Sequence, residues 1–337
     1  MSSSIADVAE LAGVSTATVS RVLAKKPHVS EKTRQKVQSA IKELDYHPDR
    51  AAQRLRSQTS DVLGLVVSDI QNPYFTSVAR GVEDAAYQLQ MNVLLCNTDE
   101  DPERQKAYLD IMRAERVAGL IISVADNNDG GLLTEIIDSG IPVVLLDRLV
   151  NNFNCDAVVV DNIQGTKNAV DHLFTLGYRR IGAIHGLPRL TSAEERQHGF
   201  LESFVNMGLE IDPNLIRTGN FKRASGYELA KDLIKSDNLP EAIFIANNQM
   251  TLGALQAFRE ESVSIPDDVA IVCFDDTPWS GELYPPLTTI SQPTYELGQE
   301  AIRLLQRRIE QPDAPFLISK LQTKLIIRES CGALLRG

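Results

Sequence analysis

Apolar residues recur along this chain with two different spacings, and the change falls near residue 60. Before it the spacing is helical and the segments are short. Ser4-Ile5-Ala6-Asp7 has the pattern of a capping box, which predicts a helix running through Val8 and Leu11 to a stop at Gly13. After the turn Ala12-Gly13-Val14-Ser15, Ser15 is placed to cap a second helix over Thr16 to Leu23. In that helix Val19, Val22 and Leu23 stand at i, i+3, i+4 and face a small core, leaving Thr16, Ala17, Ser20 and Arg21 on or near the outward side. Ser30 caps a third helix whose Val37, Ile41 and Leu44 form one stripe, and which ends before Pro48. Two short helices joined by a glycine-containing turn and braced by a third make a helix-turn-helix.

From Asp61 onward the apolar residues come in short continuous runs: V-L-G-L-V-V-S, N-V-L-L-C-N, G-L-I-I-S-V, P-V-V-L-L-D and A-V-V-V-D. A second series follows, I-G-A-I-H-G, A-I-F-I-A-N and V-A-I-V-C-F, each separated from the next by enough chain for a crossover helix. Runs of this kind are strands buried on both faces, so they predict parallel sheets with helices on either side. The body is expected to be α/β and built from two similar halves.

Composition adds one asymmetry. The net charge of the 337 residues is -11, yet residues 1–60 hold 10 Lys and Arg against 6 Asp and Glu, a balance of +4 that leaves -15 on the rest. A basic head on an acidic body is the distribution expected when only the head meets phosphate. Cys96, Cys155, Cys273 and Cys331 are far apart with no C-x-x-C spacing, which predicts buried thiols and no zinc site or disulfide framework. No signal peptide and no long apolar run is read, so a cytoplasmic protein without a membrane span is expected. The chain has no G-x-G-x-x-G, no phosphate loop, no H-E-x-x-H and no G-x-S-x-G, and its five histidines show no catalytic spacing; an enzyme, a cofactor and a metal are not expected. His185 follows a strand and is a candidate to line a cleft by hydrogen bonding.

The stretch I-A-D-V-A-E-L-A-G-V-S-T-A-T-V-S-R-V-L, then H-V-S-E-K-T-R-Q-K-V and E-L-D-Y-H-P-D-R-A-A-Q-R-L, resembles the head of the LacI/GalR family of bacterial repressors almost position for position. The resemblance implies a second helix in the DNA major groove, with Thr16, Ala17 and Arg21 reading bases and Ser15, Thr18 and Ser20 on phosphate. Chemistry agrees, since Arg21 can present two parallel donors to guanine, whereas short hydroxyls set register on phosphate without reading sequence. Asp49 to Arg56 reads as a short helix with Leu55 among basic neighbours. In the family such a hinge helix orders on operator DNA and drives its leucine into the minor groove, which implies Leu55 as the wedge and Arg50, Arg54 and Arg56 near the backbone. The plainer alternative is a linker whose Leu55 packs on the body. Ser57 to Ser60 then forms a polar boundary.

The expected organisation is a helix-turn-helix domain over 1–47, a hinge and linker over 48–60, and a ligand-binding and dimerisation body over 61–337. For the body the resemblance implies the periplasmic-binding-protein architecture, with chain crossings near Asn162, Ser291 and Lys320. The first half would comprise 61–161 and 292–320, and the second 162–291 and 321–337. Ligands of open parallel sheets bind beyond the carboxyl ends of the strands, so the polar residues found there are the candidates. They are Asn72, Asp147, Arg148, Arg196, Asn247, Asp275 and Gln292, with Tyr74, Phe75 and Phe221 available to stack on a sugar ring. This mixture of donors and acceptors suits a polyhydroxylated ligand. Arg196, Asn247, Asp275 and Gln292 match family positions that hold sugar hydroxyls, and N-P-Y-F with D-R looks like the ribose-responsive branch. Glu194, Asn248 and Cys273 depart from the commoner pattern, and the first two bear on which ligand is held.

The expectation is a repressor acting on palindromic operator DNA as a homodimer or a dimer of dimers, its affinity controlled by a sugar-like effector such as ribose or another pentose or hexose. A regulator governed by a partner phosphoprotein, or by a purine or sugar acid, is the alternative.

Overall fold

The computed structural model describes residues 4–23, 29–46, 60–236 and 239–333. The chain divides into two compact units, 1–60 and 61–337.

In the first unit, helices Ile5–Ala12, Thr16–Leu23 and Glu31–Glu43 enclose a core of Val8, Ala9, Ala12, Val19, Val22, Val37 and Ala40. Leu23, Ile41 and Leu44 pack at its margin. Local chemistry explains each boundary. Ser4 and Asp7 complete the capping box, and Gly13 ends the first helix in the left-handed region at φ 65°. The Thr18 amide donates to Ser15 Oγ at 3.2 Å and the Thr33 amide to Ser30 Oγ at 3.3 Å, so both later helices start on a serine cap. Arg50, Arg54, Leu55 and Arg56 lie outside the described residues.

The second unit holds two six-stranded sheets. The first is ordered β11-β5-β4-β3-β1-β2, from β1 (Val62–Val67), β2 (Asn92–Asn97), β3 (Gly119–Ile122), β4 (Val143–Leu146), β5 (Asp156–Val160) and β11 (Ile318–Leu321). The second is ordered β12-β10-β9-β8-β6-β7, from β6 (Ile181–His185), β7 (Ile216–Thr218), β8 (Ala242–Ile245), β9 (Ala270–Phe274), β10 (Thr288–Ser291) and β12 (Lys324–Ile326). Strand periodicity splits β1 between two cores: Leu63, Leu65 and Val67 pack with helices Pro73–Gln88 and Thr294–Glu310, while Val66 points to the opposite face with Met112, Leu120 and Leu133. Those two helices touch at paired glycines. A Cβ on Gly81 would lie 2.1 Å from the Tyr295 carbonyl oxygen, and one on Gly298 would lie 2.2 Å from that of Val78.

Every strand pair is parallel except β10 with β12. This edge pairing departs from the all-parallel expectation for a simple reason. Both sheets aim their carboxyl ends at the cleft between them, and only residues 322 and 323 separate β11 from β12. A chain that crosses so directly enters the second sheet at its carboxyl edge and must run backwards. Cys155, Cys273 and Cys331 are buried and Cys96 is half-buried, all as free thiols. Among the described residues no helix is long and apolar enough to cross a membrane.

Candidate functional site

On the head, Ser15, Thr16, Ala17 and Arg21 are exposed and Thr18 and Ser20 are half-buried. They lie on the second helix or at its cap. Ser15 Oγ and Thr18 Oγ1 are 3.0 Å apart, so these two hydroxyls first serve the helix start. The arrangement leaves a helix N-terminus, whose free amides attract anions, beside the exposed Arg21 guanidinium one turn on.

In the body, one cavity is lined by Asn72, Tyr74, Phe75, Asp147, Arg148, Arg196, Phe221, Asn247, Asp275 and Gln292, which brings all ten candidates from the strand ends together. Asp69, Glu100, Ser192 and Lys222 complete the lining. Asp69 and Glu100 follow β1 and β2 directly, so the rule that picks out Asn72 reaches them as well. In this closed arrangement the free space is about 30 Å³, room for a water molecule or two, so a larger ligand needs the lining side chains or the two halves to move apart.

Each cavity side chain is held by a neighbour. Asn72 caps helix Pro73–Gln88 through the Tyr74 amide at 3.0 Å. The Tyr74 hydroxyl donates to Asp147 Oδ1 at 3.0 Å, and burial together with that carboxylate keeps the phenol protonated by raising its pKa. Arg148 grips Glu100 with two bonds of 2.7 Å and donates to Ser68 Oγ and the Val124 carbonyl. Burial alone would lower its pKa, but Glu100 and Asp147 reverse the direction. Arg196 is fixed by Asn162 Oδ1 at 2.9 Å and the Ala246 carbonyl at 2.7 Å, and lies 3.7 Å over the Phe274 ring.

Gln292 Nε2 donates to Asp275 Oδ1 at 2.5 Å, while Gln292 Oε1 is buried with no partner among the described residues. Burial raises the pKa of Asp275, and Arg196 and Gln292 counter part of that rise. Asn247 caps helix Asn248–Glu260 through the Met250 amide at 2.9 Å and donates to the Phe221 carbonyl at 3.0 Å. Asp147, Phe221 and Asp275 all have left-handed backbone, with φ of 68°, 65° and 75°. Non-glycine residues adopt this at a cost of about 1–3 kcal/mol each, so the surrounding bonds must enforce it. The Phe221 ring rests on Gly186, where a Cβ would lie 2.0 Å from Cζ.

Three sequence features fall elsewhere. His185 does not line the cavity: at the end of β6 it is 2% exposed, and its ring meets Phe200 edge-on at 5.3 Å. Glu194 is exposed and receives a bond from Asn127 Nδ2 at 3.4 Å. Asn248 Nδ2 donates across the cleft to Asn72 Oδ1 at 2.8 Å, a bond that an aspartate could not supply.

The family profile described as "Bacterial regulatory proteins, lacI family" matches residues 4–49, and that of a periplasmic binding protein-like domain matches residues 170–331. The chain is 35% identical to the HTH-type transcriptional repressor PurR of Histophilus somni (strain 2336), with 98% of this chain and 99% of that protein covered. It is 37% identical to the ribose operon repressor of Halalkalibacterium halodurans, over 97% of this chain and 96% of that one. Among solved structures, the lac repressor dimer bound to operator and the anti-inducer ONPF is similar at a TM-score of 0.86 and 30% identity, with 98% of this chain and 99% of that chain covered.

Proposed function

This chain belongs to the lacI family of bacterial regulatory proteins, and on that premise we propose a DNA-binding transcriptional repressor whose operator affinity is set by a small neutral sugar held in the body. Its full-length relatives are repressors, not enzymes. Ribose or another pentose or hexose is the favoured effector. The observation that carries this reading is the interleaving of acceptors (Asp147, Asp275 and Gln292 Oε1) with donors (Arg148 and Arg196) around one cavity that also holds Tyr74, Phe75 and Phe221. A hydroxyl both donates and accepts, so a ring carrying several can satisfy such a wall, while its C–H face lies on an aromatic side chain.

The charges argue against a sugar acid. Arg148 already faces Glu100 and Asp147, and Lys222 faces Asp69 and Asp99, so an added carboxylate would meet acidic side chains whose cations are engaged.

On DNA, Thr16, Ala17 and Arg21 would read the major groove, Ser15, Thr18 and Ser20 would hold phosphate, and Leu55, flanked by Arg50, Arg54 and Arg56, would enter the minor groove at the centre of a palindrome. A homodimer spans such a site, with half-sites about 34–36 Å apart. Ligand binding would bias the relative position of the two halves of the body, and thereby the order of the hinge segment.

Isothermal titration of the full chain with D-ribose, D-xylose, D-glucose, D-gluconate and hypoxanthine tests the effector class. A neutral sugar is expected to bind and to shift the affinity for an operator selected from random duplexes. Arg196→Ala is expected to weaken sugar binding by about tenfold or more, from the loss of a charged donor. Binding of hypoxanthine alone, or of gluconate alone, would overturn the sugar reading. An operator affinity that no small molecule shifts would favour control by a phosphoprotein.

A further inference from the structure

Lys222 belongs to the second half of the body, on the segment between β7 and helix Arg223–Lys235, yet its ammonium reaches two carboxylates of the first half. Asp69, just beyond β1, lies 3.2 Å away, and Asp99, just beyond β2, is in direct contact. Most other crossings between the halves are short hydrogen bonds between uncharged groups. The Asn127 amide donates to the Arg189 carbonyl at 3.1 Å, the Thr191 amide to Asn127 Oδ1 at 2.8 Å, and the Leu149 amide to Thr191 Oγ1 at 2.8 Å. Such bonds are lost within an ångström or so of separation, so they report closure without pulling on an open cleft. A charge pair acts over a longer range. Arg189 also crosses, donating to the Ala125 and Glu100 carbonyls at 3.1 and 2.9 Å, but those partners are neutral and the carboxylate it faces, Asp126, stands 3.9 Å away.

Position and rigidity single out Lys222 further. The side chains of Lys222, Asp69 and Asp99 are 29%, 18% and 48% exposed, which places the pair at the mouth of the cavity that Lys222 also lines. Both ends are backbone-constrained. Phe221, beside Lys222, and Asp99 with Glu100 all have left-handed φ, and the Lys222 amide is tied to Asn220 Oδ1 at 3.1 Å. Little backbone freedom remains to be lost when the pair forms.

We infer that Lys222, with Asp69 and Asp99, is an electrostatic clasp across the cavity mouth that sets how often the two halves part, and so how fast any effector enters and leaves. The clasp acts on opening whatever the ligand is.

Hydrogen exchange of the full chain without added sugar tests this directly, because the amides of Asn127, Leu149 and Thr191 are protected by bonds that cross the cleft. Lys222→Met should speed their exchange about two- to fivefold, the effect of losing a partly exposed ion pair, and leave amides inside β1 and β8 unchanged. Asp99→Asn, an isosteric change on a half-exposed side chain, should act in the same direction. Lys222→Met combined with Asp99→Asn should exchange no faster than Lys222→Met alone. Raising the salt concentration should speed exchange in the native protein more than in Lys222→Met. Unchanged cleft amides in both single variants, or fully additive effects, would overturn the clasp. Neither result depends on which effector binds, so a failure here is distinct from a failure of the sugar reading.

Discussion

Replacing His185 by leucine should convert an acid-sensitive core into one that tolerates pH 5. The imidazole sits 2% exposed between Phe200 and Phe244, with ring centroids 5.3 and 6.3 Å away, and neither ring nitrogen has a hydrogen-bond partner among the described residues. Burial pushes its pKa down to about 4, from 6.5 for the free side chain. A depressed histidine pKa means that the fold holds the neutral ring. The associated stability is complete above about pH 6.5 and is lost as pH falls toward 4. Between pH 7.5 and pH 5.0, linkage for this one group amounts to about 2 kcal/mol. His185→Leu removes the ionisation together with two buried unpaired nitrogens, each class of defect costing about 1–3 kcal/mol, so the variant should be at least as stable as the native chain at pH 7.5. Its advantage should then widen by about 2 kcal/mol at pH 5.0. Urea unfolding at the two pH values, followed by the fluorescence of Trp279, the single tryptophan, measures that widening. An advantage of the same size at both pH values would refute the reasoning, because it would mean that the fold does not hold the imidazole pKa below its free value.

Two further outcomes follow from single side chains. Arg21→Ala should reduce discrimination between operator and random duplex by about 1–3 kcal/mol, read by fluorescence anisotropy, whereas equal weakening on both would remove Arg21 from the base readers. Gly186→Ala places a methyl 2.0 Å from Phe221 Cζ and must evict that ring from its seat, so sugar affinity should fall about tenfold or more in calorimetry while the chain stays folded at a cost of about 1–3 kcal/mol; unaltered affinity would take Phe221 out of the site.

Much of the cavity was visible in the sequence because helix capping and cavity lining use the same residues there. Asn72 and Asn247 cap the helices that follow their strands, and the same positions line the cavity, so a reader looking for polar residues after apolar runs finds both roles at once. Lys222 and Ser192 escaped that rule. The strand before Lys222, β7, is the three-residue segment Ile-Arg-Thr, which no apolar run marks in the sequence, and Ser192 lies inside a helix seven residues beyond the end of β6. His185 misled in the opposite way: it ends a strand as the cavity residues do, but its side chain turns into the phenylalanine core.

The sequence by itself determined the helix starts and stops of the head, through Ser4, Gly13, Ser15 and Ser30, and the α/β character of the body, through apolar runs with no polar alternation. It also marked the strand ends at which the cavity forms. The tertiary structure decided which polar and charged side chains face one another. Arg148 pairs with Glu100 across 48 residues, Asn248 reaches Asn72 across 176, and Lys222 meets Asp99 across 123. The physical reason is range: caps and periodicity act within a few residues, whereas these partnerships depend on the order of strands in two sheets and on how closely the halves that carry them approach.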